Sequence, residues 1–174
     1  MAIIILDSSI GFPILSIAAI SIQCIVVGFI ASMGNRKKMF NKEFLEENFG
    51  EEHWKAFGER IQPFGYPDMG NGRYSEKLSY ADWYTFNNGQ RVHYNFVEQV
   101  GSALALILVA ALAFPMLAGY LGWGYFVGRI VYTFGYMKFG PKGRNIGALI
   151  MDIVLLILFI VSLYSGIKVW NGSQ

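Results

Sequence analysis

An all-α membrane protein, folded as a left-handed, up-down bundle of four transmembrane helices, is the fold class this sequence predicts. Three observations predict it. The chain has 174 residues, of which 54% are hydrophobic and only 15% charged, against about 25% charged in soluble domains. Its mean hydropathy is +0.39. Four apolar runs, at about 11–33, 96–114, 117–137 and 146–169, approach the length of about 20 helical residues that crosses a hydrocarbon layer. The whole chain, 1–174, reads as one membrane domain carrying a polar, aromatic-rich insert at about 41–89.

The first run lacks a basic leader and carries Asp7 instead, unlike a cleaved signal peptide. The insert follows. Asn41 can cap a short amphipathic helix bearing Phe44, Leu45 and Phe49 on one side and ending near Gly50. Glu51 to Phe57 adds another turn or two. Pro63, Gly65, Pro67, Gly70 and Gly72 then impose an irregular loop. Trp54, Phe57, Phe64, Tyr66, Tyr74, Tyr80, Trp83, Tyr84 and Phe86 make this stretch too aromatic for a disordered linker, and suit it to the headgroup zone or a protein contact.

The second run closes at Phe114-Pro115. The third is rich in glycine (Gly119, Gly122, Gly124, Gly128, Gly135), which reads as close helix packing and not as phosphate binding. The fourth contains an acid, Asp152, expected to pair with Arg129 or with a neighbouring subunit.

Charge placement orients the helices. Nine of the fourteen Lys and Arg lie from Arg36 to Arg91, and Lys138, Lys142 and Arg144 follow the third run. The loops after the first and third runs therefore share the cytoplasmic side, or its equivalent, with both termini opposite. A net charge of +2 argues against a nucleic-acid partner. Cys24 is the only cysteine, so no intrachain disulfide forms. His53 and His93 show no metal-ligand spacing with Cys24, and no metal is expected.

Two polar sets stand out. Arg91, Asn95 and Glu98 (i, i+4, i+7) share one helical face, and so do Arg129, Tyr132 and Tyr136 (i, i+3, i+7). An ionisable group inside a bilayer costs roughly 2.5–3.5 kcal/mol even on the milder scales. Such groups persist when they pair with each other, face water or hold a polar ligand. One reading makes Arg91, Asn95 and Glu98 a network that neutralises Arg129; the other makes the two sets a ligand site.

Three segments carry a resemblance. Arg36-Lys37-Lys38-Met39-Phe40 looks like a basic R-K-K-x-F segment. Arg91-Val92-His93-Tyr94-Asn95-Phe96-Val97-Glu98 matches R-x-H-x-N-x-x-E. Phe126 to Tyr136 is similar to F-x-x-x-R-x-x-Y/H-x-x-x-Y, with Pro141 and Arg144 following. In this order they resemble the MAPEG family, the membrane-associated proteins in eicosanoid and glutathione metabolism.

The resemblance implies a homotrimer that binds glutathione between subunits near the cytosolic surface. By position, Arg91, Asn95, Glu98, Arg129, Tyr132 and Tyr136 match the family's glutathione-binding set. Arg144 matches the arginine that stabilises the thiolate, with Tyr136 as a further catalytic residue beside the sulfur. The implied activity is a microsomal glutathione transferase or peroxidase, which conjugates glutathione as co-substrate to lipophilic electrophiles or reduces lipid hydroperoxides. The endoplasmic reticulum is the expected membrane, a mitochondrial membrane the other option. The insert is longer than in ordinary members, which supports an alternative: a non-catalytic accessory subunit of a larger membrane complex, meeting other membrane subunits through residues 41–89.

Overall fold

The computed structural model describes residues 8–63 and 68–172, and no strand occurs among them. Five helices follow in order: α1 (Ser8–Met39), α2 (Lys42–Phe57), α3 (Tyr80–Ala111), α4 (Pro115–Phe139) and α5 (Asn145–Gly172). Asp7, Phe64, Gly65, Tyr66 and Pro67, which entered the expectations above, lie outside the described residues.

α1, α3 and α5 are long and apolar enough to cross a membrane. α4 corresponds to the third expected run. At 25 residues and about 1.5 Å per residue it has the length. It falls outside the apolar group because glycine and tyrosine occupy the positions that leucine or isoleucine would fill. α3 begins at Tyr80, well before the expected start near 96, because Ser79 caps it. The Ser79 hydroxyl accepts from the Asp82 N–H at 3.2 Å and donates to the Asp82 carboxylate at 2.7 Å.

The chain forms two compact units, residues 8–25 with 95–172, and residues 26–94. In the first, small residues let helices touch. A Cβ at Gly147 of α5 would strike the backbone N and Cα of Tyr132 on α4. One at Gly122 would strike the Ser16 side chain on α1. Hydroxyls join α5 to α3: Ser162 donates to the Leu106 carbonyl at 2.9 Å and Ser165 to the Val109 carbonyl at 2.8 Å. The Gln23 amide donates to the Phe126 carbonyl at 3.1 Å. Small residues and such hydrogen bonds are what hold helices together where lipid removes the hydrophobic driving force. Ile153, Leu156, Phe159, Ile160, Leu163 and Ile167 stay exposed along α5, which suits contact with acyl chains.

The second unit has its own core of Met39, Phe40, Leu45, Phe49, Ile61 and Phe86, with Tyr74 edge-on to Phe49 at 4.6 Å. Asn41 caps α2 as expected, its side-chain oxygen accepting from the Phe44 N–H at 2.9 Å. The helix does not end at Gly50. It runs unbroken to Phe57 and stops at Gly58, where φ is +70° and the N–H returns to the Trp54 carbonyl at 2.8 Å.

The described part of the loop beyond is ordered around Asp68. Its buried carboxylate accepts from the N–H groups of Gly70 (2.8 Å), Gly72 (3.2 Å) and Ser75 (2.8 Å) and from the Ser75 hydroxyl (3.0 Å). Burial pushes this carboxyl up, and the hydrogen bonds outweigh burial and hold it below its ordinary value. The Trp83 indole N–H then fixes the turn by donating to the Gly70 carbonyl at 2.8 Å. Gly70 sits at φ +105°, where the Asn87 side chain fills the place a Cβ would need.

Candidate ligand cavity

Three segments of the first unit line an open cavity of about 460 Å³: the Asn95–Gln99 turn of α3, the middle of α4, and Arg144 with the first two turns of α5. Its polar lining is Asn95, Glu98, Gln99, Arg129, Tyr132, Arg144, Asn145 and Asp152. Asn95, Glu98 and Gln99 fall on one face because they lie three and four residues apart along a helix. The close contact at Gly147 brings the start of α5 against Tyr132, which places Arg144 and Asp152 on the same cavity.

Arg129 is the centre of the arrangement. It is 1% exposed, and its neighbours are neutral. Nη2 donates to the Asn95 carbonyl and to the Gln99 side-chain oxygen, both at 2.7 Å, and Nε donates to the Tyr125 hydroxyl at 3.2 Å. The guanidinium carbon lies 4.4 Å from the Phe96 ring centre and 5.1 Å from that of Tyr132. Nη1 is buried and has no hydrogen-bond partner. A guanidinium does not deprotonate in a protein, so a full positive charge sits here without an acid beside it.

The remaining charged groups do not neutralise it. The Lys55–Glu51 and Arg73–Glu52 ion pairs both lie in the second unit. Glu98 and Asp152 line the cavity without an ion pair to Arg129 or Arg144. The expected pairing of Asp152 with Arg129 within the chain is therefore not made. Asp152 is exposed on a single chain, turned to the cavity side of α5.

Of the residues singled out from the sequence, Asn95, Glu98, Arg129, Tyr132 and Arg144 line this one cavity. Tyr132 accepts a 2.7 Å hydrogen bond from the Asn95 amide, which orients both groups. Tyr136 is buried behind Tyr132, the ring centres 5.8 Å apart, and the Arg144 guanidinium lies 5.6 Å from the Tyr136 ring centre. Arg91 belongs to the second unit, where it is exposed.

Sequence reasoning passed over Gln99 and Tyr125 as functional residues. Both were within reach: Gln99 is Asn95 plus four and Tyr125 is Arg129 minus four, so each extends a polar face by one helical turn.

The chemistry of the lining suits a small zwitterion. Two guanidinium groups suit carboxylates by charge-assisted bonds, two acids suit an ammonium, and the amides and phenols supply neutral hydrogen bonds. A family description covers the same helices. The model of the MAPEG family matches residues 14–164, from the apolar part of α1 to within α5, and the chain accordingly belongs to the MAPEG family as a multi-pass integral membrane protein.

Proposed function

We propose that this protein is a glutathione-dependent membrane enzyme that joins the glutathione thiolate to a lipophilic electrophile or reduces a lipid hydroperoxide. The observation that carries the reading is the buried Arg129 guanidinium, which lines the cavity with one nitrogen unpartnered and no carboxylate beside it. Burying an uncompensated charge costs several kcal/mol, and an anionic ligand is what offsets that cost. Glutathione has two carboxylates, an ammonium and a thiol. Arg129 would hold a carboxylate, Glu98 the ammonium, and Asn95, Tyr132 and Tyr136 the neutral polar atoms.

Arg144 takes the catalytic part. A free thiol has a pKa of about 8.5, so only a few per cent is ionised near neutrality. A guanidinium beside the sulfur favours the thiolate, and each unit of depression corresponds to about 1.36 kcal/mol. Tyr136, against which Arg144 lies, would fix the direction of that cation and give the sulfur a hydroxyl partner.

In this reading α4 crosses the membrane with α1, α3 and α5, in a left-handed, up-down four-helix bundle with its basic loops on the cytoplasmic side. Three copies assemble, glutathione lies between neighbours, and the lipophilic substrate arrives from the bilayer of the endoplasmic reticulum or a mitochondrion. Calorimetry with glutathione and turnover of a chlorodinitrobenzene electrophile test the proposal. Absence of both binding and conjugation in detergent-purified protein overturns it.

A second reading has an observation of its own. The second unit has a packed core and an ordered Asp68 turn, yet leaves Trp54, Phe57, Tyr80 and Tyr84 exposed. That surface suits an accessory subunit held in a larger membrane complex. Native mass analysis after gentle extraction separates the two, since a free homotrimer refutes recruitment.

A further inference from the structure

The partners of Arg129 divide sharply. Nη2 is saturated, accepting nothing and donating to a backbone carbonyl and to the Gln99 side-chain oxygen at 2.7 Å. Nη1, equally buried, has no partner. The side-chain acceptor on α3 that reaches the guanidinium is thus an amide, while the acid next to it in the sequence, Glu98, lines the cavity without an ion pair to Arg129. A carboxylate at position 99 would occupy the same volume and the same hydrogen bond, and would cancel the charge.

We infer that Gln99 is a specificity-determining residue of this cavity: it holds Arg129 in place with a neutral acceptor, so that the guanidinium keeps its net positive charge in the cavity lining and attracts a carboxylate of the ligand. This rests on the reading of the cavity as an anion-binding site and names what makes it one. Position and charge are separate demands. The hydrogen bond from Nη2 to Gln99 stops the guanidinium from turning and fixes the charge in the lining of the cavity. The neutrality of the amide preserves the electrostatic attraction, which in this buried setting is far less screened than in water. Aromatic faces complete the cage, Phe96 at 4.4 Å and Tyr132 at 5.1 Å, and they stabilise a cation without neutralising it.

The chemistry predicts a ligand whose anionic group is essential to recognition. Glutathione and its diethyl ester, which keeps the ammonium and thiol but masks both carboxylates, are the probes. Calorimetry on the full-length wild type, Gln99→Glu and Gln99→Met reads the preference for acid over ester. The wild type should prefer the acid at least ten-fold. Gln99→Glu should lose that preference, while its melting temperature without ligand stays the same or rises, because Arg129 gains a counter-ion. Gln99→Met, which removes the hydrogen bond and adds no charge, should weaken acid binding a few-fold and keep the preference for the acid. A merely structural Gln99 would lower the melting temperature of Gln99→Glu and leave the preference intact. Retained preference in Gln99→Glu overturns the inference while leaving the anion site standing. A wild type that binds acid and ester alike overturns the anion site and the inference with it.

Discussion

Replacing Arg129 by Met separates binding from stability more cleanly than any other change in this protein. Arg129 is 1% exposed, and its charge has no acid within ion-pair distance among the described residues. Removing it relieves a desolvation cost of several kcal/mol. It also forfeits the contacts at Tyr125, Asn95 and Gln99, and leaves buried acceptors that cost about 1–3 kcal/mol each. These opposing terms are of similar size, so the ligand-free melting temperature should change by only a few degrees. Binding has no such compensation. Truncating one partner of a buried, hydrogen-bonded charge pair costs roughly 2–5 kcal/mol, which is a loss of about 30-fold to several thousand-fold in affinity. Calorimetry with glutathione and differential scanning fluorimetry on the same preparation measure both. A variant that melts far below the wild type yet binds glutathione with unchanged affinity would refute the argument, for it would show Arg129 to be a structural strut.

Three further outcomes follow from other parts of the fold. The Asp68 carboxyl is held below its ordinary value, so its contribution to the second unit is present above the unfolded value of about 3.9 and is lost as pH falls through the lower folded value. Hydrogen exchange at the Gly70 and Ser75 amides should therefore accelerate as pH drops below about 4 relative to intrinsic rates, whereas in Asp68→Asn these amides should be poorly protected already at neutral pH and respond little to acid. Gly147→Val would drive a side chain into the Tyr132 backbone and should cost more than about 3 kcal/mol, read as a large fall in melting temperature; an unchanged melt would show that α4 and α5 do not need that contact. Ser165→Ala removes the hydroxyl bond to Val109 and should cost only about 0.6 kcal/mol, typical of a hydrogen bond between membrane helices, with an effect beyond about 2 kcal/mol contradicting this.

How much of this was legible in the sequence depends on which force writes each feature. Hydropathy located the lipid-facing lengths of α1, α3 and α5, because apolar exposure along a helix has no other cheap solution in a bilayer. The apolar run it located from about 96 is the later part of α3, which begins at Tyr80, since the polar first half of that helix is fixed by the Ser79–Asp82 cap, a signal written in two residues and not in a run. It also read Gly50 as a stop, although the helix ends at Gly58. A glycine stops a helix where it takes a left-handed φ, which Gly58 does and Gly50 does not, and past Gly50 a Glu51–Lys55 pair bridges the next turn. The grouping of Asn95 with Glu98, and of Arg129 with Tyr132, came from helical periodicity alone. Which acids would meet which cations did not, because that depends on the α4–α5 approach at Gly147, a tertiary contact that no spacing encodes. The Asp68 turn was equally hidden: its ligands are backbone N–H groups, invisible in a sequence.

The electrostatics of the cavity set a limit on what it can hold. Arg129 and Arg144 supply two positive charges, and Glu98 and Asp152 two negative ones, yet none is in an ion pair among the described residues. Of the four only Arg129 is buried, while Glu98 and Asp152 are exposed and screened by water, so nothing forces them into ion pairs across the cavity. Arg129 is fixed by neutral acceptors on α3 and by the Phe96 face, and Arg144 is drawn toward Tyr136. A cavity that keeps its opposite charges apart has field lines running across its open volume, and the molecule that best fills it carries separated charges of its own. A neutral lipid gains nothing from that field, and a simple anion satisfies only one side. The proposed ligand, a compact zwitterion, satisfies both, and its fit is to be judged against a cavity volume of about 460 Å³.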